Sequence, residues 1–270
     1  MFVMPEYSEF WQLMAFALVI PIVMMAGVWL LARVLNNAGI VDIFWSYGFI
    51  PVAAVCAAVS AGDAARNFLL VLMVTIWSAR LGTYLLFRVA KHHPEEDGRY
   101  ATLRRQFPNR TWAMFFGFFE AQGVLIALLS VPFVLVFING APGLGFFEYA
   151  GLVLWLAGML GESVADAQLN RFRKNPANQG KTCRAGLWNY SRHPNYFCEW
   201  LVWVAYFVYA LGSPGGWIAA YAPALMYFFL TRITGIKATE EHAVRSRGED
   251  YRQYQRTTNA FFPWFPRRVS

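Results

Sequence analysis

At 270 residues, 57% hydrophobic and only 14% charged, the chain lies outside the composition of an ordinary soluble domain and leaves no room for a large soluble domain beside its apolar windows. Its formal charge of +7 does not call for nucleic acid, because the basic residues gather in segments suited to a membrane face bearing anionic lipid. The expectation is an all-α polytopic membrane protein, one membrane domain over 1–270, since each span uses about 20 apolar residues.

The first apolar run follows Glu6 and Glu9, with no basic n-region and no small-residue cleavage site, and reads as a retained span. Spans are expected near 10–34, 39–61, 67–90, 112–138, 146–170, 195–212 and 215–235. The 91–111 segment carries Lys91, Arg99, Arg104, Arg105 and Arg110, the 171–194 segment carries Arg171, Arg173, Lys174, Lys181, Arg184 and Arg192, and the tail adds basic residues up to Arg267 and Arg268. The links at 139–145 and 213–214 have none, and that at 62–66 has only Arg66. This alternation predicts seven transmembrane helices with the N-terminus outside and the C-terminus in the cytoplasm. Past Gly235 the chain turns polar and predicts a helix broken near Gly248, with Glu240, Glu241 and His242 on a solvated face. The ending Phe261-Phe262-Pro263-Trp264-Phe265-Pro266 is too aromatic for a solvated tail and is expected at the membrane interface or capping the bundle.

Ionisable groups inside spans cost several kcal/mol unless paired or hydrated, so they mark candidate sites. Arg80, Tyr84 and Arg88 fall on one helix face, with Arg88 able to snorkel to headgroups. Glu162, Asp166, Leu169 and Arg173 step along another, from bundle interior toward a basic loop, and a carboxylate among them could instead pair with Arg80. Glu120 and Gln122 sit in FFEAQG on different faces of one span, and Asp42 stands at a helix start where the dipole favours an acid. The stretch 186–199, GLWNYSRHPNYFCE, gathers Arg192, His193, Asn195 and Tyr196 around a helix opened by Pro194, with Glu199 one turn beyond Asn195. Two readings stand: an anion site at a helix start, or a loop whose Arg and His meet lipid headgroups. Cys56, Cys183 and Cys198 show no metal-ligand spacing, the four histidines are two loop neighbours, one at the entry turn and one in the tail, and no phosphate-cradling glycine motif or Ser-His-Asp arrangement can be read. The site candidates together describe a cationic mouth above an apolar interior, suited to a phosphate-bearing cofactor and a lipid-like substrate.

The pieces GLWNYSRHPNYFCEW, NRFRK, TGIKATEE and GEDYRQYQRTTNAFFPWFP, with VDIFWSYGF, WSARLGTYLLFR and EEDGRY in the first half, make the chain similar to the membrane-embedded steroid 5-alpha-reductase superfamily, in its bacterial DUF1295 branch. The stronger motifs lie in the C-terminal half, about 146–266, and those of the first half match more weakly. The resemblance implies a seven-helix reductase of the bacterial inner membrane that holds NADPH at its cytoplasmic side and transfers a hydride to a double bond conjugated to a carbonyl of a lipidic substrate, steroid-like, enoyl or isoprenoid. The family's cofactor contacts fall on Arg80, Tyr84, Asp166, Leu169, Arg173, Lys181, Asn195 and Glu199, with His193 beside them and Glu162 where the steroid reductases have Asn. Their Gln-Glu pair is not matched and their Tyr falls on Trp77, so Glu120 with Gln122 is the candidate for polarising a carbonyl. RHPNY and the acidic pair before EDYRQY also resemble isoprenylcysteine and phospholipid methyltransferases that use S-adenosylmethionine. A lipid-binding membrane protein without catalysis is the third reading.

Overall fold

The computed structural model describes residues 5–267 apart from Thr234, so Arg268 and the first residue of TGIKATEE lie outside the described residues. Among those described, the regular structure is helical and no strand occurs. The chain divides into two compact units, Met1–Gly145 with Ser213–Gly216, and Phe146–Gly212 with Trp217–Ser270. Five helical stretches are long and apolar enough to cross a bilayer, Ser8–Leu35, Ile40–Val59, Ala64–His92, Thr111–Phe137 and Phe146–Lys174, which makes this a multi-pass membrane protein.

The first unit contains α1 (Pro5–Leu35), α2 (Ile40–Tyr47), α3 (Phe49–Val59), α4 (Ala64–His92), α5 (Gly98–Gln106), α6 (Thr111–Leu129) and α7 (Val131–Phe137). Two expected spans are thus each interrupted. One breaks at Gly48, and the other at Ser130, just ahead of Pro132, whose missing amide proton removes a rung of the helical ladder. Trp77 is fully buried, with Phe49 edge-on to it at 5.3 Å and Phe133 edge-on to Phe49 at 6.3 Å. Val23, Val34 and Phe68 point outward, as side chains that face lipid do. At one end Asp63 caps α4 by accepting from the Arg66 amide at 2.9 Å. The buried Arg66 guanidinium donates to the carbonyls of Asn139, Ala141 and Gly143 at 3.1, 2.8 and 2.5 Å. The lone basic residue of that link is therefore a clamp on the 139–145 turn.

The second unit contains α8 (Phe146–Lys174), α9 (Pro194–Ala210), α10 (Tyr221–Phe228), α11 (Ile236–Arg247) and α12 (Glu249–Thr257). Gly151, Gly158 and Gly161 let α8 and α9 approach closely. A methyl at 158 would meet Val202 Cγ2 at 2.9 Å and the Cys198 carbonyl at 3.0 Å, and one at 151 would meet Tyr209 at 2.8 Å. With 17 residues α9 is just long enough to span a hydrocarbon core. The last expected span is a 3-10 turn over Gly216–Ala220, then α10, then a π-helical turn over Phe229–Ile233. Trp200 on α9 donates to the Pro223 carbonyl of α10 at 2.9 Å. The tail helix breaks at Gly248, whose φ of +58° suits glycine, and Phe261 buries its ring among Phe197, Trp200 and Tyr227. The aromatic ending therefore caps helices at Phe261, while Trp264 and Phe265 remain exposed.

Candidate functional site

In the second unit the predicted stripe on α8 is graded by depth. Glu162 is buried, Asp166 and Leu169 are half-buried and Arg173 is exposed, as the helix runs from apolar residues into NRFRK. The carboxylate of Asp166 accepts from Asn195 Nδ2 at 3.3 Å, which ties the stripe to the first turn of α9. One turn further along α9, the buried Glu199 accepts from Trp203 Nε1 at 3.2 Å. Lys181 is exposed on the loop between the two helices, and neither it nor Arg173 forms an ion pair among the described residues. The structure thus brings Asp166 and Asn195 into contact and leaves two cations uncommitted on the loop side.

The loop ahead of α9 is built by local geometry. Gly186, at φ +61°, packs its backbone against the Gln168 side chain, and Gln168 accepts from the Leu187 amide at 2.9 Å. Trp188 donates from its indole to the Ala165 carbonyl at 2.9 Å, so both interactions pin the loop to α8. His193, the N-cap of α9, is buried, stacks on Tyr196 with centroids 5.3 Å apart, and its Nε2 lies 3.1 Å from Glu240 Oε1. Arg192 donates to the same carboxylate at 2.6 Å, and also to the carbonyls of Gln255 and Thr258 at 3.1 and 2.5 Å. Gln255 and Tyr251 add donors at 2.8 and 3.4 Å.

Glu240 is therefore no solvated face residue. It is the hub where α11, α12 and the loop meet, a role set by partners 47 and 48 positions upstream. Burial would raise its pKa, but hydrogen bonds from His193 and Arg192 prevail and hold it down to about 2. Burial also lowers the His193 pKa against the pull of Glu240, which leaves a neutral imidazole donating to a carboxylate. Tyr254 adds hydrogen bonds to the carbonyls of Trp188 and Ser191, and Asp250 accepts from the Thr182 amide at 2.8 Å and from Arg184 at 2.8 Å. The GEDYRQYQ motif is thus a dock for the loop.

The first unit holds the remaining candidates. Along α4, Arg80 is half-buried and Tyr84 and Arg88 are exposed, with Arg88 paired to Asp97 at 2.8 Å. On α6, both Glu120 carboxylate oxygens are shut from solvent without a hydrogen-bond partner among the described residues, and Gln122 is half-buried. Asp42 accepts from Tyr100 Oη at 2.6 Å and from Arg99 at 2.7 Å. Glu96 accepts from the Ala38 amide at 2.7 Å and from Arg104 at 2.9 Å. The EEDGRY motif is accordingly a fastening between α2, the turn before it and α5.

Comparison with known proteins places these features in a family. The family model described as "Protein of unknown function (DUF1295)" matches residues 28–258. An uncharacterized protein of Schizosaccharomyces pombe is 26% identical over 225 residues, 73% of this chain and 63% of its own length. A protein of Ustilaginoidea virens described as probable O-methyltransferase ustE is 30% identical over 95 residues, 35% of this chain and 32% of its own length. The chain spans less than two thirds of the length of these curated relatives. No solved structure matches. With the match running from α1 into the end of α12, the chain belongs to the DUF1295 family, which is steroid 5-alpha-reductase-like.

Proposed function

We propose that the protein is a membrane-embedded NADPH-dependent reductase acting on a conjugated double bond of a lipidic substrate, with seven spans, the N-terminus outside and the tail in the cytoplasm. The carrying observation is the α8–α9 track: buried and half-buried hydrogen-bonding groups, Glu162, Asp166, Asn195 and Glu199, lead to Arg173 and Lys181, two exposed cations with no ion pair among the described residues. The donor set fits a dinucleotide. Carboxylates and an amide suit ribose hydroxyls and a carboxamide, and the guanidinium and ammonium groups suit phosphates. NADPH supplies hydride when bound. Leu169 adds an apolar contact, and His193 holds the α9 start in place as a neutral donor to Glu240. In the first unit, Glu120 and Gln122 are the groups assigned to polarise the substrate carbonyl, a role that Glu120 can fill only as the neutral acid, because a carboxylate would repel charge growing on oxygen. Arg80 and Tyr84 are assigned to the cofactor on the family resemblance.

A second reading, an S-adenosylmethionine-dependent methyltransferase, is favoured by the similarity to ustE. The same carboxylates would accept an ammonium and hydroxyls, but that cofactor has no phosphate to engage Arg173 and Lys181. Equilibrium binding of NADPH and of S-adenosylmethionine to the purified full chain in detergent separates the two. The reductase reading requires NADPH to bind, and requires Arg173→Ala and Asn195→Ala to weaken it roughly tenfold each while melting stays near the parent value. Binding of S-adenosylmethionine alone would replace the proposal with its rival.

A further inference from the structure

The connection between α4 and α6 carries an open groove of about 690 Å³ whose lining includes Arg104, Arg105, Asn109, Arg110, Thr111 and Trp112, and no acidic residue. Of the three acids on this connection, two are occupied, and Glu95 is exposed and lies outside the lining. Glu96 is paired with Arg104 at 2.9 Å, and Asp97 with Arg88 and Arg99 at 2.8 and 3.0 Å. Arg105 donates to Thr102 Oγ1 at 3.1 Å, and neither Arg105 nor Arg110 has a carboxylate partner among the described residues. Both are exposed, so the groove keeps two uncompensated cations. Its floor is the first turn of α6, where Arg110 as N-cap provides no side-chain cap for the backbone amides, and an anion is favoured there.

Depth decides what anion this is. Thr111–Phe137 is one of the spanning stretches, so the groove lies where a span leaves the hydrocarbon. Trp112 forms a wall at that level, with the Arg104 guanidinium 4.9 Å from its ring centroid and 5.4 Å from that of Phe115. Phe107 and Phe116, flanking the groove in sequence, expose apolar surface that acyl chains would cover. We infer that this groove binds the phosphate headgroup of an anionic phospholipid from the surrounding leaflet, with Arg105 and Arg110 as the charge contacts and Trp112 as the interfacial wall. The site lies wholly in the first unit and owes nothing to the cofactor assignment above.

The test uses the full chain in nanodiscs of phosphatidylcholine with increasing phosphatidylglycerol, reading lipid retained on the protein by native mass spectrometry. Phosphatidylglycerol should be retained over phosphatidylcholine. The double variant Arg105→Gln/Arg110→Gln should weaken that preference roughly 25-fold, since each juxtamembrane cation contributes about fivefold. Arg105→Lys/Arg110→Lys, which keeps the charge, should retain most of it, and added salt should reduce it. Melting in phosphatidylcholine alone checks that both variants fold. Equal retention of the two lipids by the parent, or undiminished phosphatidylglycerol retention by the folded Gln variant, would overturn the assignment. Displacement of phosphatidylglycerol by equimolar free glycerol 3-phosphate would do so as well, since it would identify a soluble phosphate as the occupant.

Discussion

Removing the Glu240 carboxylate takes the charge partner from Arg192, which is only 11% exposed, and the acceptor from His193, two of the four side chains that donate to it. Glu240→Ala should therefore cost about 2 kcal/mol or more, read as a lowered melting temperature in detergent. The sign of the pH response follows from both partners. Glu240 is held near 2 against an ordinary 4.5, so its contribution is full above about 4.5 and is lost as pH falls through the folded value. His193 is held below 6.5, so the unfolded imidazole takes up a proton that the folded one refuses, and stability begins to fall below that pH. Melting followed from pH 7 to 4 (about 3 units) should show a steady decline, and His193→Gln should flatten its upper part. At this scale the sequence made the α8 stripe legible, because helical spacing alone puts Glu162, Asp166, Leu169 and Arg173 on one side. It hid Glu240, since EEHAVRSR reads as polar everywhere and nothing local announces partners on another helix.

The α8–α9 pair depends on contact that a side chain at Gly158 would forbid, because the obstruction includes the Cys198 carbonyl, which cannot rotate away. Gly158→Leu should destabilise by about 1–3 kcal/mol through overpacking. Gly27→Ala on α1, where a methyl meets nothing within 4 Å, should be neutral or stabilising by up to about 1 kcal/mol. Comparative unfolding of the two variants in one detergent checks both. Helix existence was readable from apolar runs, and the tail break at Gly248 from the glycine itself. The interruptions at Gly48 and Ser130 are masked by hydropathy that is continuous through them, although the second has its cause in the sequence at Pro132. The resemblance pointed to EEDGRY, but its fastening role through Asp42, Tyr100 and Glu96 is hidden in the sequence, since the partners come from a separate helix and turn.

For the whole chain, composition was enough to establish a multi-pass membrane protein, and five long helices agree with it. Seven spans ask more: α9 is short, and the segment after it mixes three kinds of helix. Single cysteines introduced in a background free of native ones test the arrangement. Labels placed within 91–111 should react with an impermeant reagent only from the cytoplasmic side, and labels within 139–145 only from the other. Reaction of both from one side would refute the proposed orientation. The docking of the 186–194 loop onto α11 and α12 carries a temporal consequence as well. The acceptors of Arg192 are 48 to 66 residues downstream, so these donors leave the ribosome well before Glu240 and Thr258 do. The start of α9 must then enter the bilayer with its guanidinium still satisfied by water or lipid, and the finished loop can set only once synthesis has passed residue 258. A translating ribosome stalled short of that point should yield a nascent chain whose loop is cut by protease at Arg192, a site that the completed fold shields.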